Sequence, residues 1–212
     1  MPNRQAARSQ KLRHSIAAEA ARIIATEGQR SYLGAKQKAA ERLGASPRNG
    51  LPSNAEVELE LRAWQDLYGG TEREEHLADL RREAISAMRF LATFRPRLVG
   101  PVAEGTADQF SRVCLQVFSD DPDALPRFLM ERRVAFDVER RKVRWHNGDY
   151  REVDIAVVDR GSALVEMMQM IGRDALQPLP SPIDGRPQNR LSVSEVETLL
   201  GAQEIEIPPP RR

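Results

Sequence analysis

The feature that most constrains the fold is a change in the spacing of apolar residues at Pro96. Before it, apolar residues recur three and four positions apart, as in Ile16, Ala20 and Ile23, which is the spacing of one face of an α-helix. After it they alternate with polar residues, as in 113–118, which is typical of a half-buried strand. The sequence therefore predicts an α+β protein whose N-terminal half is helical.

Four helices are predicted before Pro96. The apolar stretches end at Gly28, Gly44, Gly69-Gly70 and Pro96, residues that commonly follow or stop a helix. Ser53 and Glu56 have the spacing of a capping box, which predicts the start of the third helix. We expect a helical module over residues 10–94.

The second half is predicted to contain a mixed sheet with flanking helices. Strands are expected at 98–102, 113–118, 134–145, 150–158 and 163–171, with helices at 121–133 and 192–200. Asn147-Gly148 favours a tight hairpin turn between the third and fourth strands. We expect an α+β domain over residues 95–190, followed by a short helix and a Pro-rich tail over 191–212.

Composition indicates the compartment. With 30% charged and 41% hydrophobic residues, the 212-residue chain resembles a globular protein of one large or two small domains. Its single cysteine, Cys114, has no second cysteine for an internal disulfide, which favours a reducing compartment. No apolar run reaches the roughly 18 residues of a membrane span. A cytoplasmic location without a membrane partner is expected, although the basic N-terminus is also compatible with a transit peptide.

Charge is distributed unevenly along the chain. Residues 1–50 contain ten lysines and arginines against three glutamates, whereas 51–93 contain five against nine acidic residues. The basic N-terminal half could bind RNA. The alternatives are a solvated helix surface, helices that pack on the sheet, or a homodimer. Such a homodimer would pair the faces containing Ile16 and Ile23 or Trp64 and Tyr68.

The stretch LVGPVAEGTADQFSRVCLQVF, residues 98–118, reads as strand, glycine turn, loop and second strand. It resembles the core motif of the nucleotidyltransferase fold, in which Gly-Ser is followed after about ten residues by Asp-apolar-Asp. Here Gly100-Pro101 stands at Gly-Ser and Arg112-Val113-Cys114 stands at Asp-apolar-Asp. The segment 104–107 resembles the Arg-Gly-Thr-Ala of that family, and Ser111 matches the serine before its first aspartate.

The resemblance implies a metal-dependent transfer that this chain has lost. In such a fold, carboxylates on adjacent strands hold Mg²⁺ against the triphosphate, and the glycine turn contacts the phosphates. An alternating strand would place Arg112 and Cys114 on the face of the missing aspartates. Neither is a ligand for a hard cation, and Pro101 removes one N–H donor from the turn. We therefore expect a degenerate, pseudoenzyme-like member without a metal cofactor; the whole chain also resembles an uncharacterised bacterial protein family.

What we expect to survive is binding of a nucleotide or another phosphate-bearing ligand. The expected ligand-binding residues are Gly100, Gly105, Thr106, Ser111, Arg112 and Asp154. Among them, the guanidinium of Arg112 would replace the metal, because its planar fork binds phosphate bidentately.

Two other functions stay open. One is an active, Mg²⁺-dependent nucleotidyltransferase that uses Asp154 and Asp108, which predicts that these carboxylates converge within reach of a metal. The other is a structural or interaction protein whose own side chains close the cleft.

Other motifs point to no further chemistry. The chain has no P-loop, and its three histidines lack the spacing of metal ligands. The basic strip 139–145, which ends in Trp145, fits either a nucleic-acid track or an exposed hairpin. The loop 181–187 contains Arg186 between prolines and could cover a pocket or simply connect elements.

Overall fold

The computed structural model describes residues 4–46 and 50–206. The helices are α1 (Arg4–Glu27), α2 (Tyr32–Arg42), α3 (Asn54–Tyr68), α4 (Gly70–Phe90), α5 (Pro101–Glu104), α6 (Ala124–Glu131) and α7 (Val193–Glu206). The strands are β1 (Arg97–Val99), β2 (Val113–Phe118), β3 (Asp137–Arg144), β4 (Tyr150–Asp159) and β5 (Leu164–Met170). The predicted α+β class, with a helical N-terminal part and a mixed sheet, is confirmed.

The described residues form two compact units. The first extends to Gly70 and includes Pro182–Asp184, and the second comprises Thr71–Ser181 and the residues from Gly185 onward. This division differs from the boundary that the change of apolar period suggested, near residue 94. The reason is that α4 packs its apolar face into the core of the sheet.

The first unit consists of α1, α2 and α3 around a core of alanine and aliphatic side chains. The predicted capping box is present, with Ser53 and Glu56 each accepting a hydrogen bond from the other's backbone N–H. Ile16 and Ile23 are buried in this core, so they do not form the exposed apolar face that a homodimer through them would require. Tyr68 remains 69% exposed, with its ring 5.1 Å from that of Trp64.

The sheet of the second unit has the strand order β1-β2-β5-β4-β3. Only β2 and β5 pair in parallel, and the other three pairs are antiparallel. One sheet face contributes Leu115 to the main core, where Met88 of α4, Leu129 of α6 and Val196 of α7 are also buried. Since side chains alternate along a strand, Cys114 and its neighbours belong to the opposite face.

The expected strand at 98–102 is shorter in the structure, because β1 ends at Val99. Gly100 follows with φ +74° and precedes Pro101, the first residue of α5. Proline is favoured at that helical position, since its missing N–H would have no partner inside the helix. The sequence Gly100-Pro101 therefore turns the chain into a short helix instead of extending the strand.

The C-terminal part also differs from expectation in length. Helix α7 continues to Glu206, beyond the expected end at residue 200. Residues 207–212 of the Pro-rich tail, and 47–49 of the loop before α3, lie outside the described residues. No helix within the part of the chain that the structure describes is both long and apolar enough to cross a membrane.

Candidate functional site

Four charged side chains converge on the sheet face that presents Cys114. Nη1 of Arg112 donates hydrogen bonds of 2.8 Å to Oε1 of Glu139 and 2.8 Å to Oε1 of Glu166. Arg141 donates to both carboxylates as well, at 2.6 Å to Oε2 of Glu166. We call Arg112, Glu139, Arg141 and Glu166 the ion cluster. Its two positive and two negative charges cancel.

The ion cluster is partly buried, and its members strongly perturb one another. The side chain of Glu166 is only 4% exposed. The hydrogen bond from Arg112, followed by that from Arg141, lowers the pKa of Glu139 to about 2. The hydrogen bond to Glu166 is the main cause that raises the pKa of Arg141. Arg112 therefore has counterions within the protein, and the cluster offers no net positive charge to an anionic ligand.

The ion cluster does not fit the Mg²⁺ that the resemblance implies. A hard cation needs carboxylate oxygens with open coordination positions, whereas both Glu139 and Glu166 already accept hydrogen bonds from two guanidiniums. Cys114 Sγ lies 3.7 Å from Oε2 of Glu166 and adds a soft atom. Across the ranges 4–46 and 50–206, no group of three His, Cys, Asp or Glu side chains has a metal-binding arrangement.

Asp154 and Asp108 have separate partners. Asp154 lies on the sheet face opposite the ion cluster, where Nε of Arg140 donates to its Oδ1 at 3.0 Å and its side chain is 60% exposed. Asp108 accepts hydrogen bonds of 2.9 Å from Ser111 Oγ and from Phe110 N, and burial raises its pKa. Among the described side chains, neither aspartate belongs to a set of three metal ligands.

The glycine turn is shaped by its own backbone. Gly100 and Gly105 both have positive φ, +74° and +78°, a region that residues with a Cβ rarely adopt. A Cβ at Gly100 would lie 3.8 Å from Cβ of Cys114, so this glycine lies beside the second strand. Thr106 is buried, and its N–H donates to the carbonyl of Pro101 at 3.0 Å. Ser111 uses its hydroxyl to close the loop on Asp108.

Two arginines of α4 lie at this turn, and the sequence interpretation did not include them. Nη1 of Arg73 donates to the carbonyl of Gly105 at 3.0 Å. Nη2 of Arg81 is 3.7 Å from the position that a Cβ of Gly105 would occupy, and its Nη1 donates to Oε1 of Gln203 at 2.8 Å. Arg81 is 7% exposed, and burial, followed by the charge of Arg73, lowers its pKa.

A sequence signal for Arg81 did exist. It lies four residues after Leu77, on the same side of α4 as that buried leucine. An arginine at an apolar position of an amphipathic helix is unusual, because arginine is almost never fully buried without a charged partner.

Several side chains of the basic segments have partners within their own units. Trp145 is 4% exposed and its Nε1 donates to Asp174, so its ring does not present a stacking surface at the end of the strip 139–145. In the N-terminal half, Arg13 binds Glu56 bidentately and Arg42 binds Glu27. RNA binding by the N-terminal half stays a prediction.

No model of a protein family, no curated protein and no solved structure matches this chain. The nucleotidyltransferase resemblance over residues 98–118 therefore remains a prediction that depends on those residues.

The low pKa of Glu139 predicts how the free energy of unfolding depends on pH. A carboxylate whose pKa falls from 4.5 to about 2 on folding contributes stability above pH 4.5 and loses that contribution as the pH falls through 2. We expect the difference in unfolding free energy between the wild type and Glu139→Gln to shrink over this interval. Urea unfolding at a series of pH values between 7 and 2 measures it, and a constant difference would contradict the prediction.

Proposed function

We propose that this protein is a catalytically degenerate, nucleotidyltransferase-like protein that binds a nucleotide or another phosphate-bearing ligand without Mg²⁺. The observation that carries this proposal is the ion cluster, which stands on the sheet face where the resemblance would require metal-binding carboxylates. A cytoplasmic location is part of the proposal and rests on the single cysteine.

The charges of the ion cluster support the loss of catalysis. Metal-assisted transfer needs carboxylates that can ligate a cation and keep it against the phosphates. Here, Glu139 and Glu166 are both engaged by Arg112 and Arg141, whose positive charges also repel a cation. Separating a partly buried carboxylate from its guanidinium partners is costly, because both charges lose their compensation.

The glycine turn supports retained binding. Positive φ at Gly100 and Gly105 is combined with a guanidinium, that of Arg73, in contact with the turn. Backbone without side chains allows a ligand to approach closely, and arginine is the side chain best suited to hold a phosphate there. Arg112 is bound within the ion cluster, so we propose that the anion binds at the turn.

A thermal-shift screen tests the proposal. ATP, GTP, CTP, UTP and a UDP-sugar are each added in EDTA and again with Mg²⁺, with adenosine as the control that lacks phosphate. A ligand at about 100 times its Kd adds roughly 2.7 kcal/mol of stability. We expect at least one phosphate-bearing compound to raise the melting temperature in EDTA, while adenosine does not.

The other outcomes select between the alternatives. Stabilisation that requires Mg²⁺ would contradict the proposal and favour an active enzyme that uses Asp154 and Asp108. No stabilisation by any of the compounds would favour a structural or interaction protein.

A further inference from the structure

Arg81 is a buried cation for which the described side chains supply no counterion. Its residue surface is 93% buried, its one hydrogen bond goes to the neutral amide of Gln203, and its Nε has no partner. Among the described side chains, no carboxylate forms an ion pair with it. A guanidinium in this setting is unfavourable, because burial removes its hydration and a neutral amide replaces only part of the lost solvation.

Arg73 increases this imbalance. It lies on the same helix, its hydrogen bond goes to the neutral carbonyl of Gly105, and its Nε is also buried without a partner. Its positive charge lies close enough to add to the effect of burial in lowering the pKa of Arg81. Nearby on α4, Nε2 of His76 is a further buried nitrogen that has no hydrogen-bond partner.

The two arginines converge although they are eight residues apart, a separation of about 12 Å along a helix axis. Their side chains reach the same glycine: Arg73 at its carbonyl oxygen and Arg81 at the open side where a Cβ would stand. Arg73 is partly exposed, so the pair can be reached from solvent on its side. An anion there would receive the unused N–H donors and neutralise both charges.

We propose that Arg81 and Arg73, together with the backbone at Gly105, form a binding site for a phosphate dianion, either inorganic phosphate or the terminal phosphate of a nucleotide. This inference rests on the proposed function and names the side chains that carry it. Two guanidiniums match a tetrahedral dianion in charge, and each can bind it through two parallel N–H donors.

Isothermal titration calorimetry in EDTA tests the site. Inorganic phosphate and ATP are each titrated into the wild type, Arg81→Met, Arg73→Met and Arg89→Met. Arg89→Met is the matched control, because it removes the same charge from the same helix at an exposed pair with Glu197. We expect Arg81→Met and Arg73→Met each to weaken binding about tenfold or more, as loss of a charged hydrogen bond does. Arg89→Met should stay within about twofold of the wild type, a change well below that loss.

The two ligands distinguish the sources of the phosphate. Equal loss for inorganic phosphate and ATP assigns the site to the phosphate group alone, and a loss seen only with ATP assigns it to the nucleotide's terminal phosphate. In the absence of ligand, Arg81→Met should be at least as stable as the wild type, because methionine removes an uncompensated buried charge. A purely structural arginine would instead lose stability without a specific loss of affinity.

Failure of this inference differs from failure of the proposed function. If the wild type binds ATP or phosphate and both α4 variants bind as tightly as Arg89→Met, the site is overturned while the proposed function stands. If the wild type binds neither ligand, the site is overturned, and if no compound of the thermal-shift screen stabilises the protein either, the proposed function is overturned with it. Arg73→Met keeps the test valid if Arg81→Met does not fold, since Arg73 lies partly at the surface.

Discussion

Replacing Glu166 with glutamine is expected to lower the free energy of unfolding by about 3 kcal/mol, because the change removes the more buried of the two carboxylates that Arg112 and Arg141 share and leaves the ion cluster with an uncompensated positive charge. Glu166 accepts hydrogen bonds from Arg112 and Arg141, and its side chain is 4% exposed. Glutamine has nearly the same shape, so the loss reports charge and not volume. Urea unfolding at pH 7 measures the effect.

The matched control for Glu166→Gln is Asp154→Asn. Asp154 also belongs to the sheet and also pairs with an arginine, but its side chain is 60% exposed. Exposed ion pairs contribute about 0–1 kcal/mol, so this variant should unfold close to the wild type. Equal losses for the two variants would show that the ion cluster is not the compensated, partly buried network that we describe.

Replacing Met88 with alanine is expected to destabilise the sheet unit by about 3 kcal/mol, because it removes a fully buried side chain and leaves a cavity in the core. Met88 is fully buried, and α4 shares its core with the sheet. The chain has two tryptophans, Trp64 in the helical unit and Trp145 in the sheet unit. In a Trp64→Phe background, fluorescence of Trp145 follows the unit that contains α4.

Met130→Ala is the control for Met88→Ala, because it removes the same atoms from a side chain that is 64% exposed. It should change stability by less than about 0.5 kcal/mol. If Met88→Ala leaves the midpoint of the unfolding transition followed by Trp145 fluorescence unchanged, the assignment of α4 to the sheet unit is contradicted.

The fold class could be predicted because it depends on local periodicity. The change of apolar spacing at Pro96 is visible in single segments, and the four N-terminal helices and the five strands follow from it, whereas the short helix α5 does not. The partner of each helix could not be predicted in the same way. An amphipathic pattern tells which side of α4 is buried, but Leu77 and Met88 do not specify whether a helix or a sheet covers them.

The candidate site could be predicted only in part. Alternation correctly placed Arg112 and Cys114 on one strand face. Glu139 and Glu166 lie on the same face because β2 pairs with β5 and β3 pairs with β4. The β2–β5 pair joins strands that are distant in sequence, and its register is set by tertiary packing, which no local pattern reveals.

The measurement that most directly tests the central claim is a calorimetric titration of ATP into the wild-type protein, once in EDTA and once in excess Mg²⁺. We predict saturable binding in EDTA, with a Kd that Mg²⁺ does not improve, because guanidiniums engage both carboxylates of the ion cluster and supply the positive charge. Binding that appears only with Mg²⁺ would contradict the account.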